Sequence, residues 1–156
     1  MILHEKHRVY HINFSRTIDN VVWEYSTMTD AERVNLTKLQ FESSIDYEDK
    51  FGFYNMIVIS ASGEMYKYEK ILQNNMIFHH CRDISNLILK NQYDFEKIKE
   101  RVNPSLIKIY NTFIKKLDKW ILENTDLDTV LDLINERGIE NLREPDKIFL
   151  ENYAKK

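Results

Sequence analysis

The apolar positions along this 156-residue chain change period partway through. Up to about residue 90 they come in short runs. Beyond residue 105 they recur every three or four residues. The first run, His7-Arg8-Val9-Tyr10-His11-Ile12-Asn13-Phe14, alternates and is rich in β-branched and aromatic residues, which predicts a strand. Residues 18–25 fit a strand or a short helix. Thr29 and Glu32 have the spacing of a capping box, so a helix follows, with Val34, Leu36, Leu39 and Phe41 on its partly buried side. Ser43 to Lys50 reads as an acidic loop. Phe51 to Ser60 is the clearest strand, and its apolar run Met56 to Ile59 suits a central strand covered on both faces. Ser62 stands where an N-cap belongs. A helix over 63–73 then buries Met65, Tyr66 or Tyr68, Ile71 and Leu72, and Met76 to Asp83 forms another strand. Residues 51–83 are thus a strand–helix–strand unit, with parallel pairing expected through a right-handed crossover.

The second half is helical. Short helices over 84–89 and 93–101 end at Asn103-Pro104, because the residue before a proline is pushed out of the α region. Pro104 suits the first turn of the next helix. Leu106, Tyr110, Phe113, Leu117, Trp120 and Ile121 then form one apolar stripe, that of an amphipathic helix of about five turns. Thr125 or Asp126 caps the helix after it, whose core positions are Leu127, Val130, Leu131 and Ile134. Gly138 follows where a helix ends with positive φ. Leu142 leads into a last helix carrying Ile148, Phe149 and Tyr153, with Pro145 in its first turn and Asp146 favourably placed near its N-terminus. Arg143 occupies the capping position but cannot accept from the helix amides.

These elements add up to an α+β fold in a single domain over 1–156. An α/β half (1–90) holds a small sheet, and a helical half (91–156) ends in a helical hairpin over roughly 105–155. The order of elements in the first 90 residues allows a ferredoxin-like arrangement.

The stretch Leu127-Asp128-Thr129-Val130-Leu131-Asp132-Leu133-Ile134, followed by Gly138, Leu142, Asp146 and Phe149-Leu150, resembles a short helical tail module found at the C-termini of many bacterial proteins. That module reads Leu-Asp-x-x-Leu-Asp-x-Ile, then Gly, then Leu-Thr, then Glu-x-x-Phe-Leu. Here Arg143 replaces its capping threonine and Asp146 its glutamate. The resemblance covers residues 127–150, implies the hairpin and a bacterial or phage origin, and carries no activity with it.

Composition narrows the classes. Three glycines and two prolines leave little room for an all-β fold of many tight turns. Cys81 is the only cysteine, so an intrachain disulfide is excluded and a reducing compartment suits the chain. The N-terminus has no apolar core of signal-peptide length, and no 18-residue apolar stretch exists, so a cytoplasmic protein without membrane association is expected. The net charge of −3 is unevenly spread. Lys90 to Lys119 holds eight basic and four acidic residues, whereas Trp120 to Glu151 holds three and nine, as does Asp19 to Glu64.

No catalytic motif or phosphate loop is present, and no cofactor is called for. His4, His7 and His11 can meet His79, His80 and Cys81 if the first strand pairs with 76–83, which would offer zinc-type ligands, but the spacing matches no ligand pattern. Adjacent His80 and Cys81 point to opposite faces of a strand and cannot form a thiolate–imidazole pair. Asp46, Glu48 and Asp49 cluster without EF-hand spacing. The aromatic and methionine content, including Trp23, Phe51, Phe53, Tyr54, Met65, Tyr66 and Trp120, exceeds what one small core needs. The expected function is therefore that of an adaptor or regulatory protein acting by protein–protein contact. The alternative is a small RNA- or DNA-binding regulator. It would use Lys97, Arg101, Lys108, Lys115, Lys116 and Lys119 against phosphates, with Tyr93 and Tyr110 as stacking rings.

Overall fold

A computed structural model describes residues 6–14, 28–34 and 43–155. The expected strand or helix over 18–25 and the expected buried positions Leu36, Leu39 and Phe41 lie outside these residues, as does His4, whereas Val34, expected on the same partly buried side, is 65% exposed.

Four strands form one antiparallel sheet: β1 (His7–Asn13), β2 (Ser44–Glu48), β3 (Tyr54–Ala61) and β4 (His80–Asp83), in the order β2-β3-β1-β4. The acidic stretch read as a loop is therefore β2. Its alternation of Ile45 and Tyr47 with Asp46 and Glu48 is a period-two pattern that the charges disguised. Helix α1 (Ser62–Asn74) joins β3 to β4. These two strands run parallel but do not touch, because β1 lies between them and pairs antiparallel with both. The expected parallel ladder is thus a split one. This is the strand order of a ferredoxin-like arrangement. Between β1 and β2 the described residues include a helical stretch over 30–34, opened by the predicted capping box, in which the Thr29 amide donates to Glu32 and the Glu32 amide to Thr29 Oγ1. Ser62 does not cap α1: the capping position is Ala61, with no side-chain bond.

Because side chains alternate along a strand, the sheet has two distinct faces. On one, Ile12, Phe14, Tyr54, Met56 and Val58 meet Met65, Tyr68, Ile71 and Leu72 of α1. On the other, Val9, Ile45, Ile57 and Ile59 meet the helical half. β3 is buried along its whole length, as a central strand covered on both faces requires.

The helical half comprises α2 (Ser85–Leu89), α3 (Phe95–Arg101), α4 (Ile107–Asn124), α5 (Leu127–Arg137) and α6 (Glu144–Ala154). Pro104 opens a 3₁₀ turn that runs into α4. Of the predicted stripe, Tyr110, Phe113, Leu117, Trp120 and Ile121 are buried against the sheet, whereas Leu106 lies in the 3₁₀ turn before α4 and is 39% exposed. Trp120 Nε1 donates to the His7 carbonyl at 3.0 Å, which anchors the far end of α4 to β1. The Ser85 hydroxyl, completely buried, accepts from the Val9 amide at 2.8 Å. Asp126, rather than Thr125, caps α5. Val130 and Leu133 are the buried positions of α5, whereas Leu131, expected in the core, is exposed. Gly138 has φ +85°. Helix α6 packs chiefly on α4, with Phe149 and Leu150 reaching the Val130–Leu133–Leu142 cluster.

The residue that looked like a weak cap proves to be a fastener. Arg143 donates to the Ile88 and Leu89 carbonyls at 2.6 and 3.0 Å, so it caps the C-terminus of α2 instead of its own helix. Its Nε also reaches Asp146 at 2.8 Å, and only 1% of that carboxylate side chain is exposed.

Candidate functional site

Three surface features gather polar or apolar groups beyond what packing requires. The first is a cleft of about 810 Å³ between α4 and the 91–99 segment, with Arg137 and Arg143 in its lining. Tyr93, Phe95 and Tyr110 line it, together with Lys99, Lys115 and Asp118. Burial raises the Asp118 carboxyl above its ordinary range. Arg143 opposes that rise, while Asp146 and Glu144 add to it. Both arginines are already engaged, Arg143 as above and Arg137 with the Asn91 carbonyl at 2.7 Å. The free charges around the cleft are of both signs.

The second feature is a groove of about 300 Å³ between the edge strand β2 and the start of α4. Its walls are Ile45, Val102, Leu106 and Ile109. Leu106 and Ile109 are 39% and 52% exposed. It continues into a smaller depression of about 220 Å³ flanked by Lys108 and Lys116. The β2 backbone adds to it. The Ser43 carbonyl and the Asp49 amide bond to β3, so by alternation the amides and carbonyls of Asp46 and Glu48 point away from the sheet. Among the described residues no strand lies beyond β2.

The third feature is a polar network where the sheet face that packs on α4 reaches its open end. His11 Nε2 lies 2.9 Å from Asn55 Oδ1 and 3.2 Å from the Tyr47 hydroxyl. Asn55 has only one tenable orientation. Its Nδ2 donates to Asp49 Oδ2 and to the Phe53 carbonyl, both at 3.0 Å and both acceptors only. Asn55 Oδ1 therefore accepts from Asn13 Nδ2 and from the His11 Nε2 proton. The Tyr47 and Tyr93 hydroxyls bond to each other, and burial raises both above the ordinary phenol range. Asp49 is held by the Phe51 and Phe53 amides at 2.9 and 3.0 Å. These bonds and that from Asn55 outweigh its desolvation and lower its carboxyl. Burial lowers His11, so the ring favours its neutral form. Sequence reading set His11 aside as a metal candidate and missed the network, because its members come from β1, β2, β3, the turn between β2 and β3, and the loop before α3.

The residues singled out in the sequence are dispersed. Lys108, Lys115 and Lys119 line one exposed side of α4, and Lys119 reaches Glu123 at 3.9 Å. Lys116 flanks the groove, while Lys97 and Arg101 are exposed on α3. Tyr110 corrects the expectation of a stacking ring: it is 4% exposed and donates to the Phe95 carbonyl at 3.2 Å. Tyr93 is half-buried, with its hydroxyl committed to Tyr47. The first strand does pair with the 80–83 strand, but the register sets Arg82, not a histidine, opposite His11. His79 points elsewhere and meets Glu69 at 2.8 Å. Among the described residues no three His, Cys, Asp or Glu side chains are placed to share a metal ion, and no helix is long and apolar enough to cross a membrane. In comparisons with known proteins, no family model, no curated protein and no solved structure matches this chain.

Proposed function

We propose that this protein works by protein–protein contact, receiving an extended segment of a partner along the β2 edge and the groove beside it. The observation that carries this reading is the placement of exposed Leu106 and Ile109 next to outward-facing backbone groups of an edge strand. An added strand gains main-chain hydrogen bonds at Asp46 and Glu48, and its alternate side chains enter the groove. Charge sets its chemistry. On the α4 side the segment meets apolar walls flanked by Lys108, which calls for apolar residues at the alternate positions facing the groove and an acidic one beside Lys108, while the positions between them, next to Asp46 and Glu48, call for neutral or basic residues. A second copy of β2 fits poorly, since pairing would bring the Asp46 and Glu48 carboxylates of the two copies together, and like charges across strands are destabilising.

The test is a selection of displayed linear peptides on the intact chain, followed by affinity measurement. Enriched peptides should carry apolar residues at alternate positions, with neutral or basic residues rather than acidic ones between them. Binding should fall at least about tenfold, or about 1.4 kcal/mol, in Ile109→Asp and in Lys108→Glu. Both substitutions are at exposed positions and should leave stability within about 0.5 kcal/mol. The amides of Asp46 and Glu48 should become protected from exchange on binding. Peptides that bind Ile109→Asp as tightly as the native chain would remove the groove from the account.

A further inference from the structure

The polar end of the sheet holds more than the network that fixes His11. In the β1–β4 ladder His11 is the direct partner of Arg82, and Asn13 that of His80. Directly paired residues share a face, with Cα atoms about 5.5 Å apart, and diagonal neighbours about 7–8 Å apart remain within reach of long side chains. Arg82 and His80 are both exposed. Neither has a hydrogen-bond or ion-pair partner in the described structure. Hence an imidazole, a guanidinium and a second imidazole stand together on one side of the sheet, backed by the Tyr47 and Tyr93 hydroxyls.

The His11 tautomer decides what this trio can do. Asn55 takes the Nε2 proton, so Nδ1 carries a lone pair and no proton. An imidazole lone pair beside a guanidinium suits a ligand that offers a hydroxyl beside a phosphoryl group. A ribose 2′-hydroxyl next to a 3′-phosphodiester is that combination. We propose that the His11–Arg82–His80 cluster binds single-stranded RNA and cleaves it by internal transesterification, without a metal ion.

In that step His11 Nδ1 takes the proton of the 2′-hydroxyl. The 2′-oxygen bonds to the adjacent phosphorus, and the bond from phosphorus to the 5′-oxygen breaks. Arg82 lies against the phosphoryl oxygens as negative charge gathers on them. His80 gives a proton to the departing 5′-oxygen. The products are a 2′,3′-cyclic phosphate and a 5′-hydroxyl. No water, oxidant or other co-reactant is consumed, and solvent exchange resets the two imidazoles. This inference is independent of the β2 groove.

The test uses the intact chain, a labelled single-stranded RNA oligonucleotide and excess EDTA. Expected are fragments ending in 2′,3′-cyclic phosphate, and no cleavage at a position made 2′-deoxy. The rate should climb as pH rises through the His11 ionisation, which burial and Arg82 and His80 of β4 lower and Asn55 and Asp49 raise, with Tyr47 and Tyr93 packed beside the ring. His11→Gln should lose about a hundredfold or more. Because His11 is tied into the network, His80→Gln and Arg82→Gln, both exposed, serve as the decisive variants and should each lose at least about tenfold with unchanged stability. Absence of cleavage, cleavage that tolerates the 2′-deoxy position, or native rates in both exposed variants would overturn the proposal.

Discussion

The Arg143–Asp146 pair offers the sharpest quantitative prediction. Arg143→Met keeps most of the side chain's length but removes the partner of a carboxylate whose side chain is 1% exposed. It also strips two donors from the last carbonyls of α2, Ile88 and Leu89. Leaving one member of a buried pair uncompensated costs about 3–5 kcal/mol. Arg143 itself retains 21% exposure, which lets water reach part of the site and sets the expectation at the lower end, about 3 kcal/mol. Asp146→Leu alone should cost less, because the guanidinium keeps its two carbonyls. The double variant Arg143→Met, Asp146→Leu should recover part of the loss, since no unpaired charge remains. What it does not recover is the cap on α2.

Urea titrations followed by far-UV circular dichroism measure all three variants. The m-value should stay constant while the midpoint moves. Hydrogen exchange adds a local readout: amides of α2 and of the first turn of α6 should lose protection together in Arg143→Met, because one side chain ties both. The Asp118 carboxyl should titrate higher in the same variant, having lost the one cation that opposes its desolvation. A loss under about 1 kcal/mol in Arg143→Met, or a double variant as unstable as the sum of the singles, would show that the pair is not the fastener described above.

Three further outcomes follow from single residues. Gly138→Ala should cost about 1–3 kcal/mol by thermal unfolding, because φ +85° with ψ 151° is a region that L side chains rarely adopt and the new Cβ would lie 3.0 Å from Glu140 Oε1. The Cys81 thiol is pushed up by burial to about 12, with Glu69 adding to the rise, so alkylation by iodoacetamide at pH 8 should be far slower than that of a free thiol. Asp49→Ala should loosen the turn between β2 and β3 by about 2 kcal/mol, as two amides and Asn55 lose their acceptor. Because the Asp49 carboxyl is lowered in the fold, its contribution is full above the ordinary value of 3.8 and fades as pH falls through the lowered one, so the gap between native chain and variant should shrink in acid.

Periodicity made the helical half legible. The α4 stripe, the cap at Asp126 and the turn at Gly138 all sit where local spacing put them, because each depends on residues within a few positions. Leu131 and Leu133 show where this runs out: both fit an amphipathic helix, and only the location of α6 and Leu142 decides which is buried. β2 was harder for another reason. A five-residue edge strand with two carboxylates on one face reads as a loop until its partner is known, since its apolar residues, Ile45 and Tyr47, are too few to announce a strand alone.

The polar network was out of reach for a physical reason. Antiparallel pairing on both sides of β1 is what brings Arg82 and His80 beside His11, and residues 11 and 82 are 71 apart in the chain. No local pattern encodes that register. The interposition of β1 between β3 and β4 also matters chemically. Had β3 and β4 paired directly, as the strand–helix–strand reading expected, Arg82 would face β3 and the His11 ring would lie at an edge. With β1 in the middle, Asn55 of β3 reaches His11 from one side and fixes its proton, while β4 supplies a guanidinium and a second imidazole from the other. The split ladder thus separates the residues that set the tautomer from those that can meet a ligand, and so His11 can be held rigidly without exhausting the polar groups around it.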